Sequence, residues 1–162
     1  MCGYIGAISY KRDYKNIIQN ANKNLICRGP DNLSALNIND NLFINLIFNR
    51  LSILDLSESA NQPMISNHNS ILMFNGEIYN HLELRKHLQS KKVKFNTDHS
   101  DSEVVLNGLD SEGIKFIEKL RGQFAIFYLN RKNKKIYIAR DRLGQKPLYY
   151  KLENKEIFFS SN

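Results

Sequence analysis

The chain opens Met1-Cys2-Gly3, and the cysteine raises a chemical question before any structural one. Its side chain is small enough for an initiator methionine to be removed in front of it. The product would carry a thiol and a free α-amine on one residue. Reference pKa values are near 7.7–8.0 for the amine and about 8.5 for the thiol, so the amine can take the thiol proton directly or through a water. Nucleophile and general base then share one residue, and no histidine is needed beside them. The competing reading of Cys2 is a small residue buried in an edge strand.

Three further groups bear on the same chemistry. In "FNGEIYN" (74–80) the sequence predicts a strand ending at Asn75, with Gly76 letting the backbone turn and approach a ligand. A side-chain amide beside an accessible backbone N–H is the equipment of an oxyanion hole. The same dipeptide also reads as an ordinary Asn-Gly hairpin turn. Arg50 stands at the end of an apolar strand, where it either pairs with an internal carboxylate or grips an anionic ligand. Asp101, behind Ser100 at the front of a helix, is either a first-turn acid facing the helix dipole or the partner of a ligand's ammonium. An arginine for a carboxylate, an aspartate for an ammonium, an oxyanion hole and a thiol together suit an amino acid with a side-chain carbonyl. Glutamine fits.

The elements that must position these groups are legible from periodicity. Residues 2–10 alternate as a strand does, and Ile17, Ile18, Ala21 and Leu25 predict a helix over 13–26. "RGPDN" (28–32) reads as a turn, and 33–38 and 42–49 as strands joined at "NDN". A loop (55–63) and a strand (70–75) follow. Asn80 with Glu83, and Ser100 with Glu103, read as capping boxes opening two helices, the second broken near Gly113 and reaching Leu120. Strands at 123–130, 135–141, 147–151 and 156–160 close the chain. Many antiparallel strands with segregated helices give an α+β fold, two sheets with helices outside.

Composition narrows the classes further. A chain of 162 residues suits one compact domain, and no apolar run is long enough to span a membrane. Two cysteines, Cys2 and Cys27, make neither a disulfide framework nor a zinc site, so the expected setting is the reducing cytoplasm with no metal. The net charge is +7, but the lysines cluster in "KKVK" (91–94) and "RKNKK" (131–135), where turns are expected. Solvated turn lysines account for them without a nucleic-acid partner.

Eight stretches occur in order: "MCGYIGAI", "RGPDN", "RLSILDLS", "NQPM", "FNGEIYNHLELR", "SDSEVVL", "GQFAIFYLN" and "ARDRLGQKPLYY". On them the whole chain, 1–162, resembles the glutaminase domain of the class II (Ntn-type) glutamine amidotransferases, most nearly that of the asparagine synthetase group. The resemblance implies a four-layer αββα sandwich of two mainly antiparallel sheets. It implies Cys2 as nucleophile, and Asn75 with the Gly76 N–H as oxyanion donors. Arg50 would hold the glutamine α-carboxylate and Asp101 the α-ammonium, with Glu77 and the backbone of Ile53 and Leu54 nearby. The half-reaction it implies needs no cofactor; ATP and Mg belong to a synthetase domain, absent from this chain or supplied by a partner, that consumes the ammonia. A homodimer is left open. Two positions depart from the family pattern: Cys27 and Phe48 stand where histidines are usual. A non-catalytic subunit with the same fold, binding glutamine or another protein, is the alternative.

Overall fold

The structure, a computed structural model, describes residues 2–162. Two compact units are present: one runs to Leu51 and resumes over Pro147–Asn162, and the other is Ser52–Lys146.

The first unit is a five-stranded antiparallel sheet in the order β2-β3-β1-β9-β8, with β1 Gly3–Ser9, β2 Asn32–Asn39, β3 Phe43–Arg50, β8 Tyr149–Glu153 and β9 Glu156–Ser160. Pairing of Gly3 with Asn49 brings the start of the chain against the end of β3. One helix, α1 (Lys15–Asn22), packs Ile18 onto Ala7 and Ile47, with Tyr14 edge-on to Phe158 at 4.8 Å. The helix is shorter than its apolar spacing predicts. Its last residue, Asn22, is buried and exchanges amide hydrogen bonds with Asn49 (2.7 and 3.3 Å), and Leu25 reaches the interior from the turn that follows. A 3₁₀ turn, Ile26–Arg28, then leads into Gly29, where a Cβ would overlap the Asn49 carbonyl. That close passage of backbone on backbone is why "RGPD" carries glycine. Cys27 is exposed on this turn, whereas Phe48 is fully buried in β3, an apolar side chain suited to an apolar site.

The second unit holds a four-stranded antiparallel sheet, β4-β5-β6-β7, formed by β4 Met64–Ile65, β5 Ile71–Ile78, β6 Gly122–Asn130 and β7 Lys135–Arg140. Helices α2 (His81–Ser90) and α3 (Asp101–Glu112) cover one face, packing Leu88, Val105 and Leu109 against Phe74, Ile78 and Phe124. Strand alternation puts Asn75 on the opposite face, with Ile71 and Met73. The helix break expected near Gly113 is found there, at φ 75°, followed by a 3₁₀ stretch, Ile114–Lys119. Glu112, at the end of α3, receives His87 (2.6 Å) and Lys91 (2.7 Å) from α2 and Lys119 (2.6 Å) from that stretch. The lysine-rich segments lie largely in the turns expected of them.

Three expectations are corrected. The strand predicted to stop at Asn75 runs on to Ile78, pairing Asn75 with Ala125 and Gly76 with Phe124, so Asn75-Gly76 is extended backbone and not a turn. Gly76 answers to a different need: a Cβ there would overlap the Gln123 carbonyl and lie 2.8 Å from the Phe124 Cα. Asn80 does not cap α2; its amide donates to the Lys119 carbonyl (3.1 Å) and accepts from the Arg121 N–H (3.0 Å), tying down the approach to β6. In the second box Ser100 does accept the Glu103 N–H (3.2 Å), but the Glu103 carboxylate turns to the N–H groups of Asn96 (2.6 Å) and Thr97 (2.9 Å). A loop that packs against the helix offers it more donors than the cap alone.

Candidate active site

Cys2 and Arg50 belong to the first unit; Ile53, Leu54, Asn75, Gly76, Glu77 and Asp101 belong to the second. In the first, the Leu51 N–H donates to Cys2 Sγ (3.4 Å), and the thiol donates back to the Leu51 carbonyl (3.7 Å). Arg28 Nε donates to the Cys2 carbonyl (3.3 Å), so the backbone at Cys2 is held from the "RGPD" turn. Arg50 ends β3 with its side chain buried, and its carbonyl accepts the Asp31 N–H (3.0 Å). The amine expected at Cys2 depends on loss of Met1, which lies outside the described residues.

In the second unit the site is built on one edge of β5. The Phe74 N–H donates to Gln62 Oε1 (2.6 Å) and the Ile78 N–H to Asp101 Oδ2 (3.0 Å). Gly76 has the same parity, so its N–H points to this edge, away from β6. Asn75 is 1% exposed, and its Nδ2 has no hydrogen-bond partner in the structure. Leaving a buried donor unsatisfied costs about 1–3 kcal/mol, a cost that an acceptor placed at this amide would relieve. Glu77 is half-buried one residue on, while Ile53 and Leu54 are exposed, 69% and 38%, in the segment after β3.

Asp101 is the first residue of α3 and is buried. Burial pushes its carboxyl above the usual carboxylate range, while the Ile78 N–H and nearby His81 pull the other way. A carboxylate held against its own desolvation would be favoured in its charged form by a cationic neighbour.

Sequence reasoning missed three supporting residues. Gln62 completes β5 where β4 has ended: its Nε2 donates to the Phe74 carbonyl (3.1 Å) and to Ser102 Oγ (3.2 Å). Arg28 binds the Cys2 carbonyl, and Arg85 is buried with its guanidinium on the Thr97 and Ser100 carbonyls. The quoted motifs contained all three, but nothing local to them specifies a partner. Among the described residues no group of three or more His, Cys, Asp or Glu side chains is placed to hold a metal ion, and no helix is long and apolar enough to cross a membrane.

A family model described as a glutamine amidotransferase domain matches residues 1–162. Asparagine synthetase (glutamine-hydrolyzing) 1 of Bacillus subtilis (strain 168) is 37% identical over 171 residues, covering 99% of this chain and 26% of its own length. Asparagine synthetase (glutamine-hydrolyzing) 2 of the same strain is 34% identical over 167 residues, covering 99% and 21%. The chain thus spans about a quarter of the curated relatives it matches. Among solved structures, the glutamine phosphoribosylpyrophosphate (PRPP) amidotransferase of B. subtilis, complexed with ADP and GMP, superposes with a TM-score of 0.76 at 17% identity, covering 98% of this chain and 41% of that one. At that identity the likeness carries the fold, and the expected α+β class with two antiparallel sheets and helices is the one found.

Proposed function

Because the chain belongs to the glutamine amidotransferase domain family, we propose that it hydrolyses the side-chain amide of glutamine through Cys2, exposed as the N-terminal residue by loss of Met1. The observation that carries this reading is the buried, unpartnered Nδ2 of Asn75 beside the outward Gly76 N–H. Two donors of this kind serve an oxygen that becomes negative during reaction.

The α-amine of Cys2 takes the thiol proton, and the Leu51 N–H steadies the sulfur as charge develops on it. Sγ attacks the amide carbon, forming a C–S bond while the carbonyl electrons move to oxygen, where Asn75 Nδ2 and the Gly76 N–H receive them. Collapse expels ammonia, protonated by the α-ammonium, and leaves a γ-glutamyl thioester. Water, deprotonated by the same amine, then displaces the thiolate and yields glutamate. Arg50 holds the substrate α-carboxylate and Asp101 the α-ammonium, and Glu77 and the backbone of Ile53 and Leu54 also bind the substrate. No cofactor enters this half-reaction. The whole chain serves as a glutaminase domain. The ammonia feeds an ATP- and Mg-dependent amidation on a synthetase domain or subunit, in the cytoplasm.

The test is release of glutamate and ammonia from glutamine against asparagine and simple acyl amides, with Cys2→Ala as control. Turnover confined to glutamine and lost in Cys2→Ala supports the reading; equal turnover of amides without an α-amino acid head contradicts it.

A further inference from the structure

Asp101 can bind an ammonium only if its carboxylate is aimed, and the groups that aim it lie outside the substrate pocket. The loop before α3, residues 95–100, is held from two sides. From α2, the buried guanidinium of Arg85 (7% exposed) donates through Nη1 to the Thr97 carbonyl (2.6 Å) and through Nη2 to Thr97 Oγ1 (3.3 Å) and the Ser100 carbonyl (3.0 Å). From α3, Glu103 receives the N–H groups of Asn96 and Thr97 and the Thr97 hydroxyl (2.6 Å), with its carboxylate 4.0 Å from Arg85. The guanidinium also lies over the Phe95 ring, 4.2 Å from its centre.

The bond to Ser100 matters most. Its carbonyl belongs to the peptide that leads into Asp101, so fixing that oxygen fixes the plane from which the Asp101 side chain departs. The other end of the aspartate is fixed by the Ile78 N–H on β5. A cation that fills three acceptors on one loop, with a rigid planar fork, sets a direction that an ammonium group on a flexible stem cannot.

We propose that Arg85 is the positioning residue of the ammonium subsite, acting through the Ser100–Asp101 peptide to set the specificity of the site for an α-amino acid head. The proposal rests on the reading of Asp101 as the ammonium partner. Arg85 itself touches no substrate.

The experiment compares wild type with Arg85→Lys and Arg85→Gln in the whole chain, on glutamine and on glutaramic acid, which has the same amide and carboxylate but no α-amine. Folding is checked by circular dichroism. Hydrogen exchange at the Ile78 amide reads the Asp101 geometry without any need for turnover. The expected result is a KM for glutamine raised about tenfold, the scale of one misplaced charge-assisted hydrogen bond, with kcat nearly kept and glutaramic acid turned over as by wild type. Ile78 should exchange faster in both variants while Phe74, held by Gln62, does not. Arg85→Lys should fall between wild type and Arg85→Gln. Equal losses on both substrates, or folded variants with unchanged Ile78 exchange, overturn the proposal. A wild type that does not prefer glutamine to glutaramic acid overturns the reading of Asp101 instead, and the exchange result still decides whether Arg85 positions it.

Discussion

Asp101→Asn separates binding from stability, because the same buried charge acts on the two in opposite directions. The carboxylate is 6% exposed and takes the Ile78 N–H at 3.0 Å, with a long contact from Ser102 Oγ at 3.5 Å. Asparagine has the same shape, and its Oδ1 can keep the Ile78 bond, so packing is unchanged. What disappears is the charge. Burial raises the folded-state pKa of this carboxyl, so its contribution to stability is largest when it is protonated and is lost as pH rises through the folded value. At neutral pH the variant should therefore melt at or above the wild-type temperature. Binding goes the other way. An ammonium loses a charge-assisted hydrogen bond of about 1.5–3 kcal/mol, or roughly 10- to 150-fold in kcat/KM, mostly through KM. The assays are glutamate release over a range of glutamine concentrations and thermal melting at pH 5, 7 and 8. A lower melting temperature with unchanged kcat/KM would refute the reasoning, since Asp101 would then be a structural acid.

Further expectations come from the same geometry. The acid limb of kcat/KM for glutamine should fall at a pH above the ordinary aspartate range, because Asp101 must be ionised to bind, and Asp101→Asn should abolish that limb. Asn75→Ala should lower kcat by about 10²–10³ with little change in KM, and should not destabilise through lost hydrogen bonding, since Nδ2 has no partner to lose. Glu112 is held down to about 2 by Lys119, Lys91 and His87, so its contribution is present above the unfolded carboxylate value and lost as pH falls toward 2. Its partners are partly solvated, so Glu112→Gln should cost only about 1 kcal/mol at pH 7 in denaturant titrations, with the difference gone near pH 2.

The strands and the helix break at Gly113 were legible because alternation and punctuation are local signals, and burial of one face obeys them. Asn75-Gly76 was misread because the dipeptide favours a turn locally, whereas the demand on Gly76 comes from the Gln123 carbonyl, far away in sequence. Ser100 caps α3 as expected, but the Asn80 cap and the return bond from Glu103 failed for a similar reason. Asn80 and Glu103 have the right spacing for boxes, but the backbone of Lys119 and Arg121 and the 95–100 loop compete for their side chains. The proposed site residues came from chemistry, since few residue types serve an ammonium or an oxyanion. Their supports could not be read that way: nothing in the neighbourhood of Gln62, Arg28 or Arg85 names the strand edge, carbonyl or loop that each one holds.

The central claim is that Cys2 is an N-terminal nucleophile in a glutamine pocket, and covalent capture tests it most directly. The protein is incubated with 6-diazo-5-oxo-norleucine, a glutamine-shaped electrophile, with and without excess glutamine, and its intact mass and modified peptide are recorded. The account predicts a protein lacking Met1 that carries one adduct, on Cys2, blocked by glutamine. An adduct on the exposed Cys27, or none on protein that has lost Met1, would contradict it.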